Sequence, residues 1–99
     1  MTLKKFNALH QLLGSYFHQD WLDEFADESE ALQKIIESEP REQLMAGTKE
    51  IDLLLASALS EDGLKAILVD DLGCYFDPVS DGMSCEIWLK QVREKFTLH

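Results

Sequence analysis

The chain contains few of the residues from which catalytic and metal-binding motifs are built. It has three histidines, two cysteines and five glycines among 99 residues. The glycines are scattered, which excludes a glycine-rich phosphate loop, and the cysteines lack the CxxC spacing of structural zinc sites. His18 lies near Asp20, but no nucleophile can be assigned to the pair, so a hydrolase that uses His18 is the weakest hypothesis. We predict no catalytic residue, no metal and no cofactor, and a structural role for His18.

Basic residues are also scarce. Nine lysines and arginines stand against nineteen acidic residues, which gives a net charge of −10 and a pI near 4.5. A surface of this charge repels phosphate groups, so neither nucleic acid nor an anionic membrane is expected as a direct partner. A basic protein would instead be attracted, and its association would be accelerated. The alternative is that the charge only keeps the protein soluble.

Long apolar runs are absent from the sequence. No segment approaches the ~20 apolar residues that span a bilayer, and residues 1–6 are not followed by the apolar region of a secretory signal. We therefore expect the protein in the cytoplasm. In that reducing compartment Cys74 and Cys85 are expected to be free thiols, with Cys85 in the core. A disulfide between them is the alternative.

The apolar residues that are present follow the spacing of helices, without a strand pattern. Five helices are predicted: Leu3 to about Ser15, Ser29 to Ser38, about Arg41 to Leu59, Ser60 to near Gly73, and a last helix that Ser84 begins. The third helix contains the apolar run 53–55, so it is expected to be the central one. Residues 74–82 are expected to form a loop. The predicted fold class is all-α, a single small bundle of about five helices across residues 1–99.

Some side chains are predicted to begin helices or to face the core. Asp27 or Ser29 is expected to cap the second helix, and Ser60 and Ser84 are expected to cap the last two. Asp20 is expected either to cap a short helical turn at Trp21 or to bond the Tyr16 hydroxyl. In the last helix the predicted inward-facing residues are Ile87, Trp88, Val92 and Phe96.

The negative charge is concentrated in two windows of the sequence. Residues 20–39 contain eight acidic residues and one lysine, and residues 70–81 contain four acidic residues and no basic one. Each window also contains aromatic residues, which are enriched at protein interfaces. If the bundle brings the windows together, they form an acidic face with aromatic anchors. The candidate partner-binding residues are Asp23, Glu24, Asp27, Glu28, Asp70, Asp71, Tyr75, Phe76, Asp77 and Asp81.

Six consecutive residues, Tyr16-Phe17-His18-Gln19-Asp20-Trp21, combine three aromatic rings with an imidazole, an amide and a carboxylate. We interpret them as mainly structural, although Tyr16 and Trp21 also suit an interface. With the preceding Leu12-Leu13-Gly14-Ser15, this string resembles the opening motif of small bacterial immunity proteins of contact-dependent growth inhibition systems. Looser similarities span the rest of the chain: Glu50-Ile51-Asp52-Leu53-Leu54, Leu72-Gly73-Cys74 and Trp88-Leu89.

The resemblance implies a cytosolic binding protein. Members of that family neutralise the C-terminal toxin domain of an incoming effector, and many of those toxins are nucleases, often RNases. The resemblance therefore implies a cognate toxin domain as the partner, bound by a protein that is monomeric beforehand. An acidic surface would complement a cleft built for phosphates, which agrees with the charge of this chain. The alternative is an acidic adaptor or regulatory module that binds an endogenous protein.

Overall fold

The computed structural model describes residues 6–98, which contain helices and no strand. Six α-helices follow one another in this range: α1 (Asn7–Leu9), α2 (Trp21–Glu24), α3 (Glu28–Ser38), α4 (Arg41–Ala56), α5 (Glu61–Ala66) and α6 (Cys85–Thr97). Two π-helical segments, His10–Gly14 and Ile67–Asp71, continue α1 and α5. The predicted loop contains a 3-10 helix, Pro78–Asp81. The all-α fold class is thus confirmed, while the predicted first residues of the first helix, Leu3 to Lys5, lie outside the described residues.

The predicted helix caps are present. The Asp27 carboxylate accepts a hydrogen bond of 2.9 Å from the backbone N–H of Glu30 at the start of α3. The hydroxyls of Ser60 and Ser84 accept corresponding bonds in the first turns of α5 and α6. Each cap satisfies a backbone N–H that the first turn of a helix leaves without a partner. The helices α5 and α6 therefore begin where the sequence predicts, and α3 begins at Glu28, one residue before the predicted Ser29.

The long helix α4 packs against both α1 and α6, as expected of the central helix. It ends at Ala56 and not at the predicted Leu59, because Ala58 has a left-handed backbone conformation with φ of 55°. Ile51 is fully buried, whereas Leu53 is exposed. Two residues along a helix correspond to a rotation of about 200°, so these two side chains point to opposite sides.

The inward face of α6 differs from the prediction at one position. Trp88, Val92 and Phe96 are buried as predicted, whereas Ile87 is exposed and its predicted inward orientation is wrong. The buried residues are joined by Cys85, three residues before Trp88 on the same face of the helix. Ile87 is two residues after Cys85, which places its side chain on the opposite side.

Both cysteines are free, as predicted, and Cys85 is buried as predicted; Cys74 is buried as well. Burial raises the pKa of the Cys74 thiol to about 12. Burial, together with the neighbouring Glu61 carboxylate, raises the pKa of the Cys85 thiol to about 11. Because the thiolate is the reactive form, both side chains act as small apolar core residues at neutral pH.

The ends of the two π-helical segments pack against each other. Gly14 ends the first segment, and only the absence of a side chain there leaves room for the backbone carbonyl of Leu72, which follows the second segment. Shortly beyond this contact, the backbone N–H of Tyr75 donates a hydrogen bond of 2.7 Å to the carbonyl of Phe17. This junction holds the chain that leads into α2 beside the chain that follows α5.

Candidate functional site

The two acidic windows meet at a cleft of about 350 Å³ between the segment 21–28 and the segment 75–81. Asp27 and Glu28 from the first window and Asp77 and Asp81 from the second line it. No lysine or arginine is among the described residues that line this cleft. We call this feature the acidic cleft. The fold therefore brings the two acidic windows together, which the sequence alone does not determine.

Six of the ten candidate binding residues line the acidic cleft, and four do not. Asp23 and Glu24 lie on α2 and are exposed outside it, where Glu24 accepts a hydrogen bond of 3.1 Å from the His18 ring. Asp70 and Asp71 are exposed at the end of the second π-helical segment. Their charge adds to the field around the cleft, but their side chains do not form its walls.

Aromatic side chains form the inner wall of the acidic cleft. Phe76 is only 7% exposed, and its ring centroid lies 5.7 Å from that of Trp21 and 5.0 Å from that of Trp88. Phe17 packs against all three rings. Phe76 therefore belongs to the core cluster beneath the cleft, and only a small part of its ring faces the cleft. Tyr75, in contrast, is 56% exposed and is free to contact a partner.

Apolar residues at the edge of the cleft extend this surface. Leu22 lines the cleft and is 66% exposed, and Val79 beside the lining residue Ser80 is also exposed. Sequence reasoning missed both as binding candidates. Apolar residues are usually assigned to a core, and nothing in the local pattern separates Leu22 from the buried Trp21. Exposed apolar groups beside acidic ones are typical of an interface.

Glu28 is the buried carboxylate of the cleft. It is only 8% exposed, and neither its Oε2 nor the neighbouring Trp88 Nε1 forms a hydrogen bond of normal geometry among the described residues. Burial raises the pKa of Glu28, Lys95 and an interaction with the Trp88 side chain partly offset this, and the nearby Asp81 and Asp27 raise the pKa further. The chain thus holds an acidic group in a position that disfavours its charged form.

The Tyr16–Trp21 motif contributes to both core and surface. Phe17 and Trp21 are buried in the aromatic cluster, whereas Gln19 and Asp20 are exposed. Both predicted roles of the Asp20 side chain are wrong. The side chain makes no capping bond at Trp21.

The polar members of the motif bond other groups. The Tyr16 hydroxyl donates a hydrogen bond of 2.8 Å to Glu39. Burial and this carboxylate raise the pKa of Tyr16. The backbone N–H of Asp20 donates a hydrogen bond of 3.1 Å to His18 Nδ1. With Glu24 at its Nε2, the His18 ring joins the start and the end of the α2 turn. These contacts support the fold around the cleft.

The remaining chemistry of the described chain is limited. Within residues 6–98 no group of three or more histidine, cysteine, aspartate or glutamate side chains is arranged to hold a metal ion. No helix in that range has the length and apolar character needed to cross a membrane. The acidic cleft and its exposed apolar edge have the composition of a binding surface on a small helical domain.

Comparisons with known proteins give the family. The family model described as CdiI immunity protein matches residues 5–96. The structure is similar to a chain in the crystal structure of a CdiA-CT/CdiI complex from Y. kristensenii 33638, with a TM-score of 0.87 and 34% sequence identity. That similarity covers 93% of this chain and 98% of the other. None of the curated proteins matches the chain. The chain belongs to the CdiI immunity protein family, as its resemblance to these proteins predicted.

Proposed function

We propose that this protein is a cytoplasmic immunity protein that binds and neutralises the C-terminal toxin domain of a contact-dependent growth inhibition effector. Family membership supports the general role, and the similar chain comes from a complex described as CdiA-CT/CdiI. The protein acts by stoichiometric binding, as a monomer before the complex forms, and performs no reaction of its own. It needs no cofactor and contacts neither nucleic acid nor a membrane.

The convergence of two acidic windows on one cleft is the observation that carries the mode of binding. Four carboxylates line the cleft, and exposed Leu22 and Tyr75 border it. Such a surface complements a basic partner, because opposite charges accelerate encounter while apolar contacts keep the complex together. A nuclease presents a basic surface where it holds phosphates. We therefore propose that the toxin is a nuclease, specifically an RNase, and that the acidic cleft covers its basic site.

Co-purification tests this function directly. The toxin domain encoded immediately upstream is produced with a tag, together with this protein, and the complex is isolated and assayed on RNA and DNA. We expect a one-to-one complex without activity, and RNA cleavage by the toxin once the immunity protein is removed. A toxin domain that stays fully active in the presence of excess immunity protein would contradict the proposal. Absence of an upstream toxin gene would favour the acidic adaptor instead.

A further inference from the structure

We propose that the acidic cleft receives one arginine side chain of the toxin and that Glu28 is the buried counterion for its guanidinium group. This inference rests on the proposed function and adds to it the chemistry of the central contact. Four features of the cleft indicate that an arginine binds there and that Glu28 is its counterion. They are the bonding of the carboxylates, the burial of Glu28, the aromatic walls and the volume of the space.

The four carboxylates of the cleft are not equivalent. Asp27 caps α3, and Asp77 accepts hydrogen bonds from the Val79 N–H and the Ser80 hydroxyl and also faces Lys65 at 3.8 Å. Their oxygens therefore already stabilise local turns. Within the range 6–98 Asp81 takes part in no side-chain hydrogen bond or ion pair. Glu28 forms no ion pair there, and its interaction with the Trp88 indole falls short of normal hydrogen-bond geometry. These two side chains are left to bind a cation.

Glu28 differs from the exposed carboxylates of the acidic surface because it is buried. An exposed carboxylate satisfies its oxygens with water, but Glu28 is more than nine-tenths buried and its Oε2 forms no hydrogen bond of normal geometry. Leaving such a group without a hydrogen bond destabilises the folded state. Lys95 is close enough to act on Glu28 electrostatically, yet no ion pair joins the two. A donor supplied by a partner would satisfy this oxygen.

The walls and the volume favour arginine as that donor. A space of about 350 Å³ lies near the lower end of the ~300–1,000 Å³ of small-ligand sites, enough for one long side chain. Trp21 and Tyr75 border the space, and a planar guanidinium stacks on aromatic rings while its N–H groups bond carboxylates in pairs. Lysine carries a more strongly hydrated point charge and gains less from such walls. The guanidinium would lie between Glu28 and Asp81.

Affinity measurements on matched variants test the inference. Glu28→Gln keeps the shape of the side chain and removes its charge, Asp81→Asn does the same at the second position, and Asp70→Asn removes one exposed charge outside the cleft. We expect the toxin domain to bind the first two variants about tenfold to a hundredfold more weakly, because each loses a charge-assisted hydrogen bond. Asp70→Asn is expected to change the dissociation constant less than about threefold.

Two further measurements separate this role from a structural one. Thermal unfolding of free Glu28→Gln should occur at the wild-type temperature or above it, whereas loss of a structural residue would lower it. A double-mutant cycle should couple Glu28→Gln to the replacement of one toxin arginine by alanine. Coupling to a lysine, or to no basic residue, would overturn the inference.

The two proposals fail in different ways. If the wild-type protein does not bind or inhibit the upstream toxin, the proposed function is wrong. If the wild type inhibits it while Glu28→Gln and Asp81→Asn bind as tightly as the wild type, only the arginine site is wrong. Asp81 is exposed, so its variant tests the cleft even if a change at Glu28 disturbs folding.

Discussion

The carboxyl group of Glu28 shows how one residue can work against the stability of its own fold. Burial raises its pKa, so the folded state binds a proton more readily than the unfolded state. The resulting stability is fully present below the ordinary pKa of a glutamate and is lost as the pH rises through the folded-state pKa. Above that range the buried carboxyl destabilises the free protein, and the binding role proposed for Glu28 would account for its presence.

We therefore expect Glu28→Gln to raise the free energy of unfolding of the isolated protein at pH 7 relative to the wild type. The difference should shrink as the pH is lowered toward 4, because the wild-type carboxyl then becomes neutral. Denaturant titrations of the wild type and the variant at several pH values measure this difference and how it changes with pH. Asp70→Asn is the control, since it relieves the general repulsion of a protein with a net charge of −10 without changing the cleft. If Glu28→Gln raises the free energy of unfolding at pH 7 no more than Asp70→Asn does, this account is contradicted.

At the scale of elements, the junction of the two π-helical segments fixes the shape of the cleft. An amphipathic pattern predicts the first helix, from Leu3 to about Ser15, and it also predicts which face is buried. It does not show that the five residues His10–Gly14 form a wider, π-helical segment, or that Gly14 must meet Leu72. Glu50 makes a second contact that the pattern does not predict. Its carboxylate, on α4, accepts hydrogen bonds from the backbone N–H groups of Ala8 and Leu9 in α1.

Two glycine-to-alanine changes test the junction. In Gly14→Ala the added methyl group would overlap the Leu72 carbonyl oxygen, which belongs to the backbone and cannot rotate away. We expect a loss of about 1–3 kcal/mol in unfolding free energy, as is typical of overpacking. Gly63→Ala, inside α5, meets only ordinary contacts from 3.4 Å and should stabilise by about 0.5–1 kcal/mol. Chemical denaturation measures both variants, and equal effects at the two sites would show that the junction is not tightly packed.

At the scale of the whole molecule, the net charge of −10 acts beyond the cleft. Charges such as Asp70 and Asp71 do not line the cleft, yet they add to a field that attracts a basic partner. The Debye length falls from ~30 Å at 0.01 M salt to ~8 Å at 0.15 M, so distant charges are screened first. Charges outside the cleft should therefore affect the rate of encounter more than the lifetime of the complex.

The association rate with the toxin domain is expected to fall on the order of tenfold between these two salt concentrations. The dissociation rate should change less, because it depends on contacts that are shielded from water. Stopped-flow or surface-binding kinetics at both concentrations give the two rates separately. The double variant Asp70→Asn/Asp71→Asn should slow association while leaving dissociation near the wild-type value. An association rate independent of salt would rule out electrostatic steering.

The sequence by itself determined the class of fold and most helix boundaries, because these depend on local spacing and on short-range caps such as Asp27 and Ser60. It also determined the sign of the charge and the two windows that contain it. Only the tertiary structure decided that the windows adjoin, that Phe76 is a core ring while Leu22 is exposed, and that Glu28 is buried. Those properties depend on contacts between residues about fifty positions apart, which no local pattern encodes.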